Sequence, residues 1–215
     1  MRKFVIMGVQ GSGKGTQASM MAEDLDLVHL SVGDIFRWHV QRHTKLGAQV
    51  RRIMAAGELV DDELVESVMR DRLAMHDWNY GFILDGFPRN VRQAEFFLES
   101  YDIDGVIDLH MPDEVVHERV LSRRLCAGCG LDWNLLAHRP KVSDVCDICH
   151  GQLLMREDDQ PEALAVRLRD YHEKTAPVIE LFQRKEFVAT FDATQSIAAI
   201  QGEIRRRFNL PALPA

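Results

Sequence analysis

Residues 3–7 form a continuous apolar run of strand length, and a run that is continuous rather than alternating marks a strand covered on both faces. Short apolar runs of the same kind stand at 28–30, 82–84, 106–109 and 187–191, and the stretches between them carry helical periodicity. Strand and helix therefore alternate. That order predicts right-handed βαβ crossovers, a doubly wound parallel five-stranded sheet of the α/β class, and ligands outside the carboxyl ends of the strands. Two intervals interrupt the alternation: residues 45–75 read as helical throughout, and residues 125–155 hold all four cysteines with Gly128, Gly130 and Pro140. Both read as insertions. After the second, Asp159, Gln160, Pro161 and Glu162 combine a capping acid, a first-turn proline and an acid three residues on, which predicts a long helix reaching about Lys185. Residues 211–215 read as a frayed tail.

A length of 215 residues suits one well-buried domain with insertions, and 46% hydrophobic with 27% charged residues is globular composition. No apolar run approaches the roughly 18 residues of a membrane span. The run after Lys3 is also too short for the apolar core of a secretion signal, so a cytoplasmic protein is expected. A net charge of −7 has the wrong sign for coating nucleic acid. Cys126, Cys129, Cys146 and Cys149 form two Cys-x-x-Cys pairs, which in such a chain favours metal over disulfides. Four thiolates in two turns have the spacing of a closed tetrahedral zinc site; iron could occupy the same set, and unligated buried thiols are the plain alternative. With all four positions filled by protein, such a metal has no place for water and is structural.

Gly8-Val9-Gln10-Gly11-Ser12-Gly13-Lys14 places glycines where a chain leaving the first strand must turn tightly into a helix, so that backbone N–H groups face one anion and Lys14 reaches its outer phosphates. Glycine turns of this kind also arise from packing alone. The usual pattern has Ser or Thr directly after the lysine; here Gly15 intervenes and Thr16 brings the hydroxyl. The loop, extended through Gln17, resembles the variant found in nucleoside monophosphate kinases. The similarity to adenylate kinases continues through His29-Leu30-Ser31-Val32-Gly33-Asp34-Ile35-Phe36-Arg37, Gly57-Glu58-Leu59-Val60, and Gly81-Phe82-Ile83-Leu84-Asp85-Gly86-Phe87-Pro88-Arg89 with Gln93. It covers nearly the whole chain. Departures from the family pattern stand at Gln10 (customarily Pro), Val32 (commonly a Thr that touches the purine), Trp133 (for Tyr) and Ala193 (for Gly).

Arg37 and Arg89 each follow a strand-end turn, where a planar guanidinium can grip a phosphate, although a helical arginine such as Arg37 is also an ordinary surface residue. Asp85 ends an apolar strand before a glycine, a place for a carboxylate that holds the waters of a magnesium ion, or for a plain turn. Arg119 and Arg123 lie four apart on a predicted helix, with Arg124 beside them, and this repulsion is eased if an anion sits across the pair.

The resemblance implies the following assignments. ATP is held by Gly11, Ser12, Gly13, Lys14, Gly15, Thr16, Arg119 and Arg123, with Trp133 over the adenine and Gln195 as a main-chain contact. AMP is held by Ser31, Val32, Arg37, Glu58, Leu59, Val60, Gly86, Arg89 and Gln93, although Leu59 and Val60 also suit a plain core. Arg156 and Arg167 act on the transferring phosphoryl group and AMP, oriented by Asp158 and Asp159, of which Asp159 also caps the following helix. Catalysis then rests on Lys14, Asp85, Arg89, Arg123, Arg156 and Arg167, with Mg2+ accompanying ATP and Zn2+ in the lid. The implied organisation is a core of residues 1–30, 61–122 and 160–215, a monophosphate-binding flap at 31–60 and a lid at 123–159. A monomer is expected, with nucleotides as partners and neither nucleic acid nor membrane. Rival readings are a kinase for another monophosphate, suggested by Val32 and Gln10, and an inactive nucleotide-responsive zinc protein.

Overall fold

The computed structural model describes residues 2–77, 80–136 and 138–211, so the expected tail lies outside the described residues beyond Pro211. In chain order the strands are β1 (Lys3–Gly8), β2 (Val28–Ser31), β3 (Phe82–Asp85), β4 (Gly105–His110), β5 (Arg123–Cys126), β6 (Asp132–Asn134), β7 (Leu153–Leu154) and β8 (Val188–Asp192). The α-helices are α1 (Lys14–Leu25), α2 (Val32–Gln41), α3 (Lys45–Ala55), α4 (Asp62–Ala74), α5 (Val91–Ser100), α6 (Asp113–Leu121), α7 (Pro161–Asp170), α8 (Ala176–Lys185) and α9 (Ile197–Arg207). Among the described residues no helix is long and apolar enough to cross a membrane.

Five strands form one parallel sheet in the order β2-β3-β1-β4-β8. Its centre is apolar on both faces for a simple reason. Successive side chains of β1 point to opposite sides, so Phe4 and Ile6 enter one core with Met21, Leu109 and Ile204. Val5 and Met7 enter the other, with Phe36, Leu84, Phe97 and Phe182. This is the five-stranded α/β sheet expected, and each of the five apolar runs is a strand. The 45–75 interval is helical, as α3 and α4. The second interval holds a separate antiparallel sheet, β6-β5-β7, over a small core of Cys126, Trp133, Cys146 and Leu153.

Two local expectations are corrected. Arg123 does not share a helix with Arg119, because α6 stops at Leu121 and Arg123 opens β5, its backbone paired with Asn134. Asp159 does not cap α7: the cap position is Gln160, with Pro161 at the first turn, and the Asp159 carboxylate is taken by Arg123 and Gln10 instead. The predicted long helix does run to Lys185, but in two parts, joined by a π-helical turn at Tyr171–Thr175 just before Pro177, which has no N–H to continue the ladder.

Helices α2 and α3 pack closely because Gly47 lets the backbones meet; a Cβ there would stand 2.2 Å from the His39 carbonyl oxygen and 2.7 Å from the Val40 nitrogen. Alanine at an ordinary helix interior gains about 1 kcal/mol over glycine. Here the neighbour is backbone and cannot rotate away, so overpacking at about 1–3 kcal/mol or more is the larger effect. Gly47→Ala is therefore expected to lower stability in equilibrium denaturation; unchanged or raised stability would show that the two helices separate freely.

Candidate active site

The phosphate loop leaves the carboxyl end of β1 and enters α1. At Gly8, φ is +139° and a Cβ would lie 2.5 Å from the Leu109 carbonyl oxygen, so only glycine fits between the loop and β4. Gly13, at φ +90°, starts α1 with no side-chain cap, which leaves the first-turn N–H groups to an anion. The Lys14 Nζ is folded onto this cradle, donating to the Gly8 and Val9 carbonyl oxygens at 2.9 and 2.8 Å. Burial holds it down to about 8, with Arg89, Arg167 and Arg123 acting in the same direction against Asp85. Gly15 lies beneath Asp85, where a Cβ would stand 3.4 Å from Oδ2; glycine after the lysine keeps the space beside that carboxylate open. Asp85 is the last residue of β3, directly across from Ile6, and His29 Nε2 approaches it to 3.8 Å.

Above the loop, two consecutive carboxylates gather three arginines. Arg156 donates from Nε and Nη2 to Asp158 at 3.0 and 2.9 Å, and Arg167 donates to the same carboxylate. Arg123 grips Asp159 with two bonds of 2.8 and 2.5 Å. Asp159 is fully buried, and Gln10 Nε2 also donates to it at 2.7 Å. Burial alone would raise Asp158, but Arg156 and Arg167 hold it far below the usual carboxylate range. Burial likewise works against the charge on Arg156, which Asp158 and Asp159 overcome, driving it up. For Arg167 the balance is reversed: burial and the neighbouring Arg89, Arg156 and Arg123 outweigh Asp158 and bring it down to about 9. Arg89 is lowered as well, chiefly by burial, against the pull of Asp85. The site carries more positive charge than its carboxylates balance.

Two adjoining clefts meet at Arg89 and Arg167. The first lies on the phosphate loop, with Gly8, Gln10 and Lys14; the second lies against α2, with Val32, Phe36 and Arg37. Gly57, Leu59, Gly86, Arg89 and Arg167 line both. Glu58, Val60 and Gln93 line the second cleft. Arg37 is tied to Asp34, and Ser31 caps α2 by accepting from the Asp34 amide. The Gln93 amide accepts from the Arg89 N–H at 2.8 Å and donates to Asp62 at 2.6 Å. Arg119 stands apart from Arg123, donating to the Ala193 and Thr194 carbonyl oxygens beside Gln195. Trp133 does not present a platform to a base: it is 5% exposed and packed into the small core of the β5–β7 sheet. Sequence reading did not single out Tyr171 and Thr175 of the π turn, which line the loop cleft; Thr175 also donates to the Arg89 carbonyl oxygen. Asp62, the anchor of both Asn90 and Gln93, was equally invisible, since a first-turn acid is ordinary at a helix start.

The four cysteine sulfurs lie within 4.8 Å of one another. The Cys126–Cys149 and Cys129–Cys146 distances are 3.3 and 3.7 Å, near the ~3.8 Å between thiolates of a tetrahedral zinc site. Amides of Gly128 and Cys129 donate to Cys126, and glycine at 128 and 151 keeps the surroundings of the sulfurs clear. The Cys129 amide is the largest cause that brings the Cys126 thiol down to about 6. At Cys129 the Leu131 amide favours the thiolate, but burial and the neighbouring sulfurs push the thiol up to about 12. A closed four-thiolate set fits a structural metal.

Residues 6–187 match the family model for adenylate kinase. The chain belongs to the adenylate kinase family. It is 42% identical over 206 residues to an adenylate kinase of Kosmotoga olearia, spanning 94% of this chain and 96% of the relative. It is 36% identical over 200 residues to that of Acetivibrio thermocellus, spanning 91% and 92%. As an adenylate kinase it is a phosphotransferase of the nucleoside monophosphate kinase class.

The lowered Lys14 sets a pH dependence for this adenylate kinase. As pH rises through about 8 the free enzyme loses the Lys14 proton, and with it a positive charge beside the loop cleft. The kcat/KM for MgATP is therefore expected to fall above about pH 8, while kcat, measured with phosphates bound beside the ammonium, stays level to higher pH. A kcat/KM flat to pH 9.5 would remove Lys14 from capture.

Proposed function

We propose that the adenylate kinase reaction, ATP + AMP = 2 ADP, proceeds here by in-line transfer across the seam between the two clefts. The observation that supports this is the pair of arginines, Arg89 and Arg167, shared by a cleft on the phosphate loop and a cleft against α2. ATP takes the first: N–H groups of residues 11–16 surround its phosphates and Lys14 exchanges its two carbonyl partners for phosphate oxygens. Arg119 and Gln195 hold the base end. AMP takes the second, with Arg37 and Arg89 on its phosphate. The Gln93 amide has two N–H groups and two lone pairs, so beside its bonds to Asp62 and Arg89 it keeps one donor and one acceptor, a set that adenine's pairing edge complements. Val32 brings no hydroxyl to this cleft. The missing hydrogen bond, about 0.5–1.5 kcal/mol, loosens the preference for adenine without abolishing it.

Arg123, Arg156 and Arg167 then face the transferring phosphoryl group, presented by Asp158 and Asp159. The charge of Arg156 and Arg167 is aimed before the reaction starts, which is where electrostatic catalysis gains most, and Arg123 joins it on leaving Asp159. No general base or covalent intermediate is needed. Magnesium, when bound with ATP, neutralises phosphate charge, and Asp85 at the sheet edge is the carboxylate to hold its waters. The working divisions are the core of residues 1–30, 61–122 and 160–215, a flap at 31–60 and a lid at 123–159 whose closure excludes water. The lid carries one structural zinc on its four cysteines. The enzyme works as a cytoplasmic monomer on free nucleotides.

ADP formation from MgATP with AMP, GMP, CMP or UMP is expected to favour AMP by at least about tenfold. Arg89→Ala is expected to lose about 100- to 1000-fold in kcat/KM. Equal or faster use of another monophosphate would move the specificity while leaving the mechanism; no turnover with any would support the nucleotide-responsive zinc protein.

Elemental analysis of the purified protein should find one zinc per chain, lost in Cys146→Ser. Metal-free protein should unfold at lower temperature, since the lid has little core of its own. Iron in its place, or four thiols titrating freely in the native enzyme, would overturn the zinc assignment.

A further inference from the structure

Gln10 occupies a position in the phosphate loop with no part in the assignments above, yet it is 9% exposed and its side chain spans from the loop to the buried Asp159. An ionised carboxylate only accepts hydrogen bonds, so the Gln10 atom 2.7 Å from Asp159 Oδ1 is its amide nitrogen. The Gln10 Oε1 is buried without a hydrogen-bond partner, and Gln10 lines the same cleft as Lys14 and Arg167. Asp159 Oδ1 is shared: Arg123 Nη2 donates to it at 2.5 Å, while Arg123 Nε holds Oδ2 at 2.8 Å.

We propose that Gln10 is a positioning residue that holds Asp159 to the phosphate loop while Arg123 leaves it for the nucleotide phosphates. The inference rests on the assignment of Arg123 to those phosphates. When Arg123 departs, Asp159 loses both of its bidentate bonds although it has no exposure to water. A buried carboxylate stripped of donors is costly, so without another donor the arginine is retained or the carboxylate moves. Gln10 supplies a neutral donor that does not compete for phosphate, and Arg156 Nε, 4.0 Å from Oδ2, supplies charge. Asp159 thus keeps its place in the turn before α7, and Arg123 can be released without disturbing the elements that carry Arg156 and Arg167. Proline, customary here in the family's loop, has no side-chain donor to do this.

The test is steady-state kinetics with both nucleotides varied on the parent, Gln10→Met, Arg123→Lys and the double variant, with a melting temperature for each and rates expressed per folded enzyme. Met matches Gln in length but donates nothing, so kcat is expected to fall by about tenfold, the worth of one hydrogen bond to a charged group, with both KM values within about twofold. Gln10→Glu, which opposes Asp159 with a second carboxylate, should fall further. Because Gln10 acts through Asp159 on Arg123, the double variant should lie within about twofold of Arg123→Lys. Unchanged kcat in both Gln10 variants, a change confined to KM, or losses that multiply in the double variant would each overturn the proposal while leaving the role of Arg123 intact. An Arg123→Lys enzyme with parental kcat would overturn that role, and this inference with it.

Discussion

Repulsion among cations is the constraint on which the rest of this structure depends. Lys14, Arg89, Arg123, Arg156 and Arg167 converge on one crevice, and two unit charges 4 Å apart near a protein surface repel by about 4 kcal/mol. Asp85, Asp158 and Asp159 answer only part of this; burial, the largest cause, and then the neighbouring cations press Lys14, Arg89 and Arg167 toward losing their protons, while Asp158 is held strongly ionised. Such an arrangement is relieved by an anion that carries several negative charges. A site of this kind favours the species with the greatest concentration of negative charge, which in phosphoryl transfer includes the transition state.

Such groups can be held close only if their supports are rigid in some places and free in others. The central sheet provides the rigid part. Strand β1 is flanked by β3 and β4 and buried on both faces, so the loop after Gly8 and the carboxylate at Asp85 are set by registers that cannot slip without turning two cores inside out. The arginines are placed differently. Arg123, Arg156 and Arg167 come from outside that sheet and reach their positions through side-chain pairs with Asp158 and Asp159, which can exchange partners.

This division also explains what could be read from the chain. The five strands were legible because burial on both faces leaves an unbroken apolar run, and the phosphate loop because its glycines answer to backbone geometry. Asp159 was misread as a helix cap because local sequence cannot show that Arg123, 36 residues away, and Gln10, 149 residues away, claim its carboxylate. Arg123 was misread as helical for a similar reason: pairing of β5 with β6 ends the helical pattern at Leu121, a tertiary effect that overrides local spacing. Trp133 was expected over a base by resemblance, and the small second sheet uses its ring as core. Asp62 carried no distinguishing local signal, and Pro177 could mark a break in the long helix without showing that Tyr171 and Thr175 line a cleft.

The second sheet has strands of 4, 3 and 2 residues and a core of four buried side chains, two of them cysteines. So little apolar burial cannot set the shape of a lid, whereas four sulfurs drawn to one point can. On the proposed division, a lid fixed from within moves as one body, and its two connections to the core are the segments that hold the charges: Arg123 opens β5, and Arg156 with Asp158 and Asp159 follows β7. Moving the lid and moving Arg123 are then the same event. On the same proposal, drawing Arg123 from Asp159 toward a nucleotide phosphate closes the cover over that nucleotide, and relief of the repulsion among the cations supplies part of the drive.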